Sequence, residues 1–271
     1  MIQLGLIGYP LGHSLSPKIH AAALSACGLQ GIYSLFPIAP ENKQGLIDLL
    51  ARVRAGEVHG LNVTIPHKQN VIEYMDELTP TAHAIGAVNT IYMRDNKLIG
   101  DNTDAPGFLA DLKRVSNSSF TIPHSALVLG AGGSARAVIY ALCNDGWDVT
   151  IAARRIEQAQ QLSQSFEKYA LRLSTFDIQP STFDLIINTT PLGMTPNTET
   201  SPLPETVILS KHIFIYDLVY NPRETKLVRD AHAQGLNAST GLGMLIEQAA
   251  LAFEKWTGVN PDRAAMQRAV A

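Results

Sequence analysis

Two stretches of this 271-residue chain carry residue types that do chemistry at spacings that suit it. The first is Gly130-Ala131-Gly132-Gly133-Ser134-Ala135, which follows the apolar run Ala126–Leu129. Gly130 allows a tight turn, and Gly132 lets the backbone approach a pyrophosphate closely. The helix that should follow offers free N–H groups and the positive end of its dipole. Such a turn can also exist without a ligand; here it opens a βαβ pattern whose second strand is Val149–Ala152. NAD enzymes place Asp or Glu at the end of that strand. This chain reads Ala152-Ala153-Arg154-Arg155. A carboxylate would repel a 2′-phosphate, whereas guanidinium groups bind one through forked bonds. One such contact, at roughly 1.5–3 kcal/mol, gives a ~10–100-fold preference for NADP. The alternative for Arg154 and Arg155 is a solvated pair opening a surface helix.

The second stretch is polar. Gly8-Tyr9-Pro10-Leu11-Gly12-His13-Ser14-Leu15-Ser16-Pro17 joins a strand to a helix with Pro17 near its first position. Ser16 suits an N-cap; Ser14 is not explained that way and is free to hold a hydroxyl- or carboxylate-bearing ligand. Asn62 and Thr64 share a face by the two-residue strand period. Lys68 follows within one turn, and a lone lysine is ordinarily a solvated surface group. Gly86-Ala87-Val88-Asn89-Thr90 and Asn102-Thr103-Asp104 add further polar groups, with Asp104 placed where a helix N-cap would also stand. Spacing alone does not establish that Lys68 and Asp104 meet.

Apolar runs alternate with helical patterns almost throughout, the mark of an α/β fold. The length predicts two domains of roughly 100–150 residues. Expected strands are Ile2–Ile7, Tyr33–Ile38, Leu61–Ile65, Ala126–Leu129, Val149–Ala152, Leu185–Asn188 and Ile213–Leu218. Thr90–Met93 and Lys97–Gly100 should form a hairpin about Asp95-Asn96, although the favoured turn glycine is missing. Expected helices include Pro17–Cys27, 42–54, a run from Asp104 to Val115, Ala135–Asp145, Leu242–Trp256 and Pro261–Val270. A net charge of −3 without a basic block argues against nucleic-acid or membrane-surface binding. No apolar run approaches the ~20 residues that cross a bilayer. Cys27 and Cys143 suggest neither a disulfide framework nor a metal site, and a reducing cytoplasm is expected.

Taken together, His13-Ser14-Leu15-Ser16-Pro17, Asn62-Val63-Thr64-Ile65-Pro66-His67-Lys68, Gly86–Thr90 and Asn102-Thr103-Asp104 resemble the shikimate dehydrogenase family. So do Gly130–Ala135, Asn188-Thr189-Thr190-Pro191-Leu192-Gly193-Met194, Asp217-Leu218-Val219-Tyr220-Asn221-Pro222 and Gly241–Gln248. The motifs stand in family order along nearly the whole chain. The resemblance implies an N-terminal α/β substrate domain and a Rossmann-type NADP-binding domain, with the C-terminal helices returning to the substrate domain. The expected division is 1–104 plus 241–271 for the substrate domain and 105–240 for the NADP domain. The implied reaction is the NADPH-dependent, reversible reduction of 3-dehydroshikimate to shikimate, on the way to chorismate and the aromatic amino acids.

Lys68 and Asp104 would be the acid/base pair. Ser14, Ser16, Asn62, Thr64, Asn89, Tyr220 and Gln248 would hold the substrate. Gly130, Ala131, Gly132, Gly133, Ser134, Arg154, Met194, Leu218 and Gly241 would line the cofactor, and Arg155 adds charge beside it. The family commonly ends its cofactor strand Asn-Arg-Thr; Ala153 and Arg155 depart from that pattern. Rival readings are a quinate/shikimate dehydrogenase of broader range, a reductase of a related substrate such as an aminoshikimate, and a non-catalytic NADP-binding sensor. No metal is implied, and the chain is expected to be a monomer or homodimer.

Overall fold

A computed structural model describes residues 1–116, 124–174 and 180–271. The chain divides into two compact units, Met1–Gly107 with Ile246–Ala271, and Phe108–Leu245.

The first unit opens with β1 (Ile2–Gly8), α1 (Ser16–Ala26), β2 (Gly31–Pro37), α2 (Lys43–Arg54) and β3 (Gly60–Val63). It continues through β4 (Glu77–Leu78), α3 (Pro80–Ile85), β5 (Thr90–Arg94) and β6 (Lys97–Asp101), and α4 (Asp104–Ser116) begins in it. The six strands form one sheet in the order β2-β1-β3-β5-β6-β4. It is mixed: β1 pairs in parallel with β2 and β3, while β5 runs antiparallel to β3 and β6. Leu46, Leu49, Leu50 and Val53 recur at helical spacing on α2, so one stripe of that helix is buried. They pack with Ile7, Leu61, Val63, Ile91 and Leu98 of the sheet. The Asn42 side chain caps α2 by accepting from the Gly45 N–H at 3.0 Å.

Short local signals place the polar residues. Thr79 caps α3 by accepting from the Ala82 N–H, and Gly86 ends that helix in the left-handed conformation at φ 67°. The chain is thereby turned into Ala87-Val88-Asn89 and β5. The expected hairpin forms without glycine because Asp95 and Asn96 both take positive φ, 50° and 59°. Asp and Asn tolerate that region better than other side chains.

The second unit carries β7 (Ser125–Leu129), α5 (Gly133–Asn144), β8 (Asp148–Ala152), α6 (Ile156–Gln164), β9 (Arg172–Ser174), β10 (Leu185–Asn188), β11 (Phe214–Asp217), α7 (Lys226–Ala233) and β12 (Asn237–Thr240). Its sheet is parallel throughout, in the order β12-β11-β10-β7-β8-β9. Counting from β7 as the first strand, this is the 3-2-1-4-5-6 order of the doubly wound dinucleotide fold. Such a sheet is covered on both faces, so its strands read as continuous apolar runs. Leu185, Ile186 and Ile187 are accordingly fully buried. Last come α8 (Leu242–Thr257) and α9 (Arg263–Arg268); from Ile246 onward they belong to the first unit.

Candidate active site and cofactor turn

In the first unit, Lys68 Nζ lies 2.6 Å from Asp104 Oδ2, and the two side chains are only 12% and 8% exposed. A lysine on a turn after β3 thus meets the first residue of α4. The lysine is not the solvated group that its type alone suggests. Removing either member of such a buried pair would leave an uncompensated charge.

Asp104 is not spent on capping its helix. Asn102 does that work: its Oδ1 accepts from the N–H groups of Asp104 at 3.0 Å and Ala105 at 3.3 Å. Its own amide donates to the Ala87 carbonyl at 3.0 Å. The Asp104 carboxylate is left to face Lys68 and Asn89, whose Nδ2 stands 2.9 Å from Asp104 Oδ1. The orientation of the Asn89 amide follows from the Thr103 N–H, which only donates and reaches Asn89 Oδ1 at 2.7 Å. The same Nδ2 lies 3.0 Å from Thr103 Oγ1 and 3.3 Å from Gln248 Oε1.

A second carboxylate three residues upstream does not compete for Lys68. Asp101 is buried and has its own cation, Lys255, whose Nζ is 2.7 Å from Asp101 Oδ2. Thr79 Oγ1 donates to Asp101 Oδ1 at 2.6 Å.

Asn62 is buried, with its Oδ1 accepting from Tyr33 Oη at 2.8 Å and its Nδ2 donating to the Asn89 carbonyl at 3.2 Å. The strand stops at Val63, one residue short of Thr64, whose methyl group sits against Gly8. The expected N-cap role of Ser16 is not observed. Ser16 is the first residue of α1 and makes no capping bond, while Ser14 Oγ accepts from the Ser16 N–H at 3.3 Å. Leu15 stands at the N-cap without a side-chain capping bond, and Pro17 follows within the first helical positions. Tyr220 stands in the second unit, on the turn after β11, apart in sequence and unit from the other substrate candidates.

In the second unit, the glycine turn follows β7 and α5 starts at Gly133, two residues earlier than the sequence suggests. Gly130 has φ +116°, and a Cβ there would lie 2.6 Å from Thr189 Oγ1. Gly132 is different: a Cβ would meet nothing within 4 Å. Gly132 is also the N-cap of α5 and supplies no side-chain capping bond. An uncapped helix start in front of open space suits a phosphate group. Arg154 and Arg155 lie exposed beyond β8, with no ion-pair partner among the described residues. Leu218 and Gly241 meet closely, since a Cβ on Gly241 would stand 2.3 Å from the Leu218 carbonyl oxygen. Met194 is 46% exposed on the segment after β10. No group of His, Cys, Asp and Glu that could hold a metal ion occurs among the described residues.

Sequence reasoning gave no role to Tyr33, Asn102 or Thr103. Asn102 had a signal, an Asn two residues before a helix start. Tyr33 had none, because 29 residues separate it from Asn62.

A 3-2-1-4-5-6 parallel sheet with a glycine turn after its first strand in one unit, and a buried lysine–aspartate pair in the other, define a nucleotide-dependent oxidoreductase. Three family models match along the chain: the shikimate dehydrogenase substrate binding domain at residues 6–91, shikimate / quinate 5-dehydrogenase at 115–229, and the shikimate 5'-dehydrogenase C-terminal domain at 241–271. The chain is 41% identical over 271 residues to the shikimate dehydrogenase (NADP(+)) of Shouchella clausii, covering 99% of this chain and 97% of that one. It matches the crystal structure of shikimate 5-dehydrogenase from Thermus thermophilus in complex with NADP(H) and shikimate at TM-score 0.89 and 39% identity, over 99% and 98% of the two chains. A shikimate dehydrogenase in complex with NADP+ matches at TM-score 0.92 and 37% identity, over 100% of this chain and 94% of that one. The chain belongs to the shikimate dehydrogenase family.

Proposed function

We propose that this chain catalyses the NADPH-dependent, reversible reduction of 3-dehydroshikimate to shikimate, a step toward chorismate and the aromatic amino acids. The observation that carries the reading is the 2.6 Å contact of Lys68 Nζ with Asp104 Oδ2 in a nearly buried setting. The substrate domain is assigned to 1–104 with 241–271, and the NADP domain to 105–240.

Bound NADPH supplies the hydride. The chain's own residues supply the proton and the geometry. Lys68, as an ammonium, hydrogen-bonds to the ketone oxygen and donates a proton as that oxygen becomes an alkoxide. In the reverse direction it takes the proton back. Asp104 orients the ammonium and balances its charge, and Asn89 and Asn102 hold Asp104 in place through its carboxylate and its N–H. Ser14, Ser16, Asn62, Thr64, Asn89, Tyr220 and Gln248 are assigned to the substrate's carboxylate and hydroxyls. A site of buried donors and acceptors rejects an analogue lacking one hydroxyl by ~10⁴–10⁵-fold.

Gly130, Ala131, Gly132, Gly133 and Ser134 are assigned to the pyrophosphate through the uncapped start of α5. Arg154 and Arg155 take the 2′-phosphate, and Met194, Leu218 and Gly241 line the remainder. Among the described residues no helix is long and apolar enough to cross a membrane. A cytoplasmic enzyme, monomeric or homodimeric, completes the reading.

The test is a steady-state matrix of shikimate and quinate, each with NADP+ and NAD+. The reading expects the shikimate–NADP+ pair to have by far the highest kcat/KM. Comparable turnover of quinate would replace it with the broader quinate/shikimate activity. Tight NADP+ binding without turnover of either alcohol would make the chain a sensor.

A further inference from the structure

One buried carboxylate ties together the segments that leave β10 and β11. Asp217 ends β11 and is fully buried. Its Oδ1 accepts from Asn188 Nδ2 at 2.8 Å and from the Val219 N–H at 3.0 Å. Its Oδ2 accepts from the Thr225 hydroxyl at 2.6 Å. Asn188 in turn ends β10, and its Oδ1 accepts from Thr190 twice, from the N–H at 2.9 Å and from Oγ1 at 2.7 Å. The Asn188 amide also reaches the Leu192 carbonyl at 3.2 Å.

This chain of bonds ends at the dinucleotide turn. A Cβ on Gly130 would lie 2.6 Å from Thr189 Oγ1 and 3.1 Å from Thr190 Cγ2. Thr189 is fixed to the end of β7 by its N–H and its hydroxyl, both on the Leu129 carbonyl, at 2.9 and 2.8 Å. The other end is Thr225, which caps α7 by accepting from the Val228 N–H. Between them, Leu218 is held by its N–H on the Asn188 carbonyl at 2.9 Å.

The location is informative. β7 and β10 flank the point where the strand order reverses, and the carboxyl ends of strands at that point form the ligand crevice of a doubly wound sheet. Phe214, Ile215 and Tyr216 are buried on the same strand, so packing alone would accept an apolar residue next in line. Burying a carboxylate is unfavourable unless donors satisfy it, and three do so here. Burial still pushes the Asp217 carboxyl up to about 6, offset in part by those bonds from Thr225, Val219 and Asn188.

We propose that Asp217 and Asn188 are positioning residues for the cofactor, holding 189–194 against the Gly130 turn and 218–221 beside it. Met194 and Leu218 are thereby presented to the dinucleotide. Neither Asp217 nor Asn188 touches a reacting atom. The inference rests on the reading that NADP(H) binds this turn.

The test uses the full-length protein and four forms: wild type, Thr190→Val, Thr190→Ser and Asp217→Asn. NADPH affinity is read from its fluorescence, alongside kcat and the separate KM values for NADP+ and shikimate. Thr190→Val keeps the shape and the backbone N–H bond to Asn188, and removes the hydroxyl's bonds to Asn188 and to the Leu192 N–H. It should raise Kd and KM for the cofactor about tenfold, with KM for shikimate within about twofold of wild type. Thr190→Ser keeps the hydroxyl and should bind as wild type. Asp217→Asn keeps the shape and disturbs the Thr225 end; it should shift the cofactor constants in the same direction. Should Asp217→Asn not fold, the Thr190 pair decides alone. Unchanged NADPH affinity in folded Thr190→Val overturns the proposal, as does an equal rise in both KM values. Wild-type protein that binds no NADPH removes the underlying functional reading as well, whereas an active wild type with an unaltered valine variant removes only this inference.

Discussion

Lys68 Nζ and Asp104 Oδ2 are 2.6 Å apart, although 36 residues separate them in sequence and one arises from a turn while the other starts a helix. Asp104 holds Lys68 with one oxygen and Asn89 with the other. The carboxylate is therefore committed to orienting the ammonium. Replacing the lysine by alanine should lower kcat by ~10²–10⁴-fold and leave KM for shikimate nearly unchanged. Steady-state kinetics of folded Lys68→Ala protein check this; near-normal turnover would refute the acid/base role.

The two glycines of the dinucleotide turn should separate into a folding residue and a ligand residue. Gly130 adopts φ +116° with Thr189 Oγ1 in the way of any Cβ. Gly130→Ala is expected to destabilise the protein by about 1–3 kcal/mol. Gly132 has open space where its Cβ would be. Gly132→Ala should leave stability within about 0.5 kcal/mol of wild type while NADPH affinity falls at least about tenfold, because the methyl group fills the approach to the phosphates. Paired denaturation and fluorescence titrations measure both quantities. Loss of stability in Gly132→Ala with normal affinity would reverse the assignment.

Arg154 and Arg155 stand exposed at the end of β8 without an ion-pair partner among the described residues. Each is expected to contribute to NADP over NAD. Single changes to alanine should reduce the ratio of kcat/KM for the two cofactors by ~10–100-fold where the guanidinium contacts the 2′-phosphate. Comparing the two variants shows how the load divides between them. A ratio unchanged in both would leave the pair as surface charges.

His20 provides a pH signature for the first unit. Its ring is fully buried and stacked on Tyr33 with centroids 4.3 Å apart. Burial lowers its pKa from 6.5 to about 3, with a smaller opposing pull from the Asn62 side chain. Between those values the unfolded chain binds a proton that the folded chain does not. Stability from this group is therefore full above about pH 6.5 and is lost as pH falls toward 3, by up to about 1.4 kcal/mol per pH unit. Urea midpoints measured from pH 4 to 7 should show a shallower slope in His20→Phe, which keeps the stack. Identical slopes would reject this account.

The elements that were legible share a short-range cause. The α/β alternation, the Asp95-Asn96 hairpin and the strand–glycine–helix turn each depend on residues within a few positions of one another. Their periodicity and backbone preferences are local. The capping expectation for Ser16 fails even though it is local, because the helix starts at Ser16 itself, so Leu15 holds the cap position. Asp104 posed a capping ambiguity as well, and Asn102 resolves it by taking the capping role.

By itself, then, the sequence determined an α/β chain with a dinucleotide turn at Gly130–Ala135, an arginine-ended second strand suited to NADP, and motifs resembling one family. Only the tertiary structure decided that Lys68 is a buried partner of Asp104 and that Asn89 reaches Gln248 from 159 positions away. It alone tied Asp217 through Asn188 to the shelf beneath the glycine turn. The physical reason is range. Turn and cap chemistry act over three or four residues, whereas the meeting of distant side chains is set by strand order and register, which bring the ends of separate elements to one place.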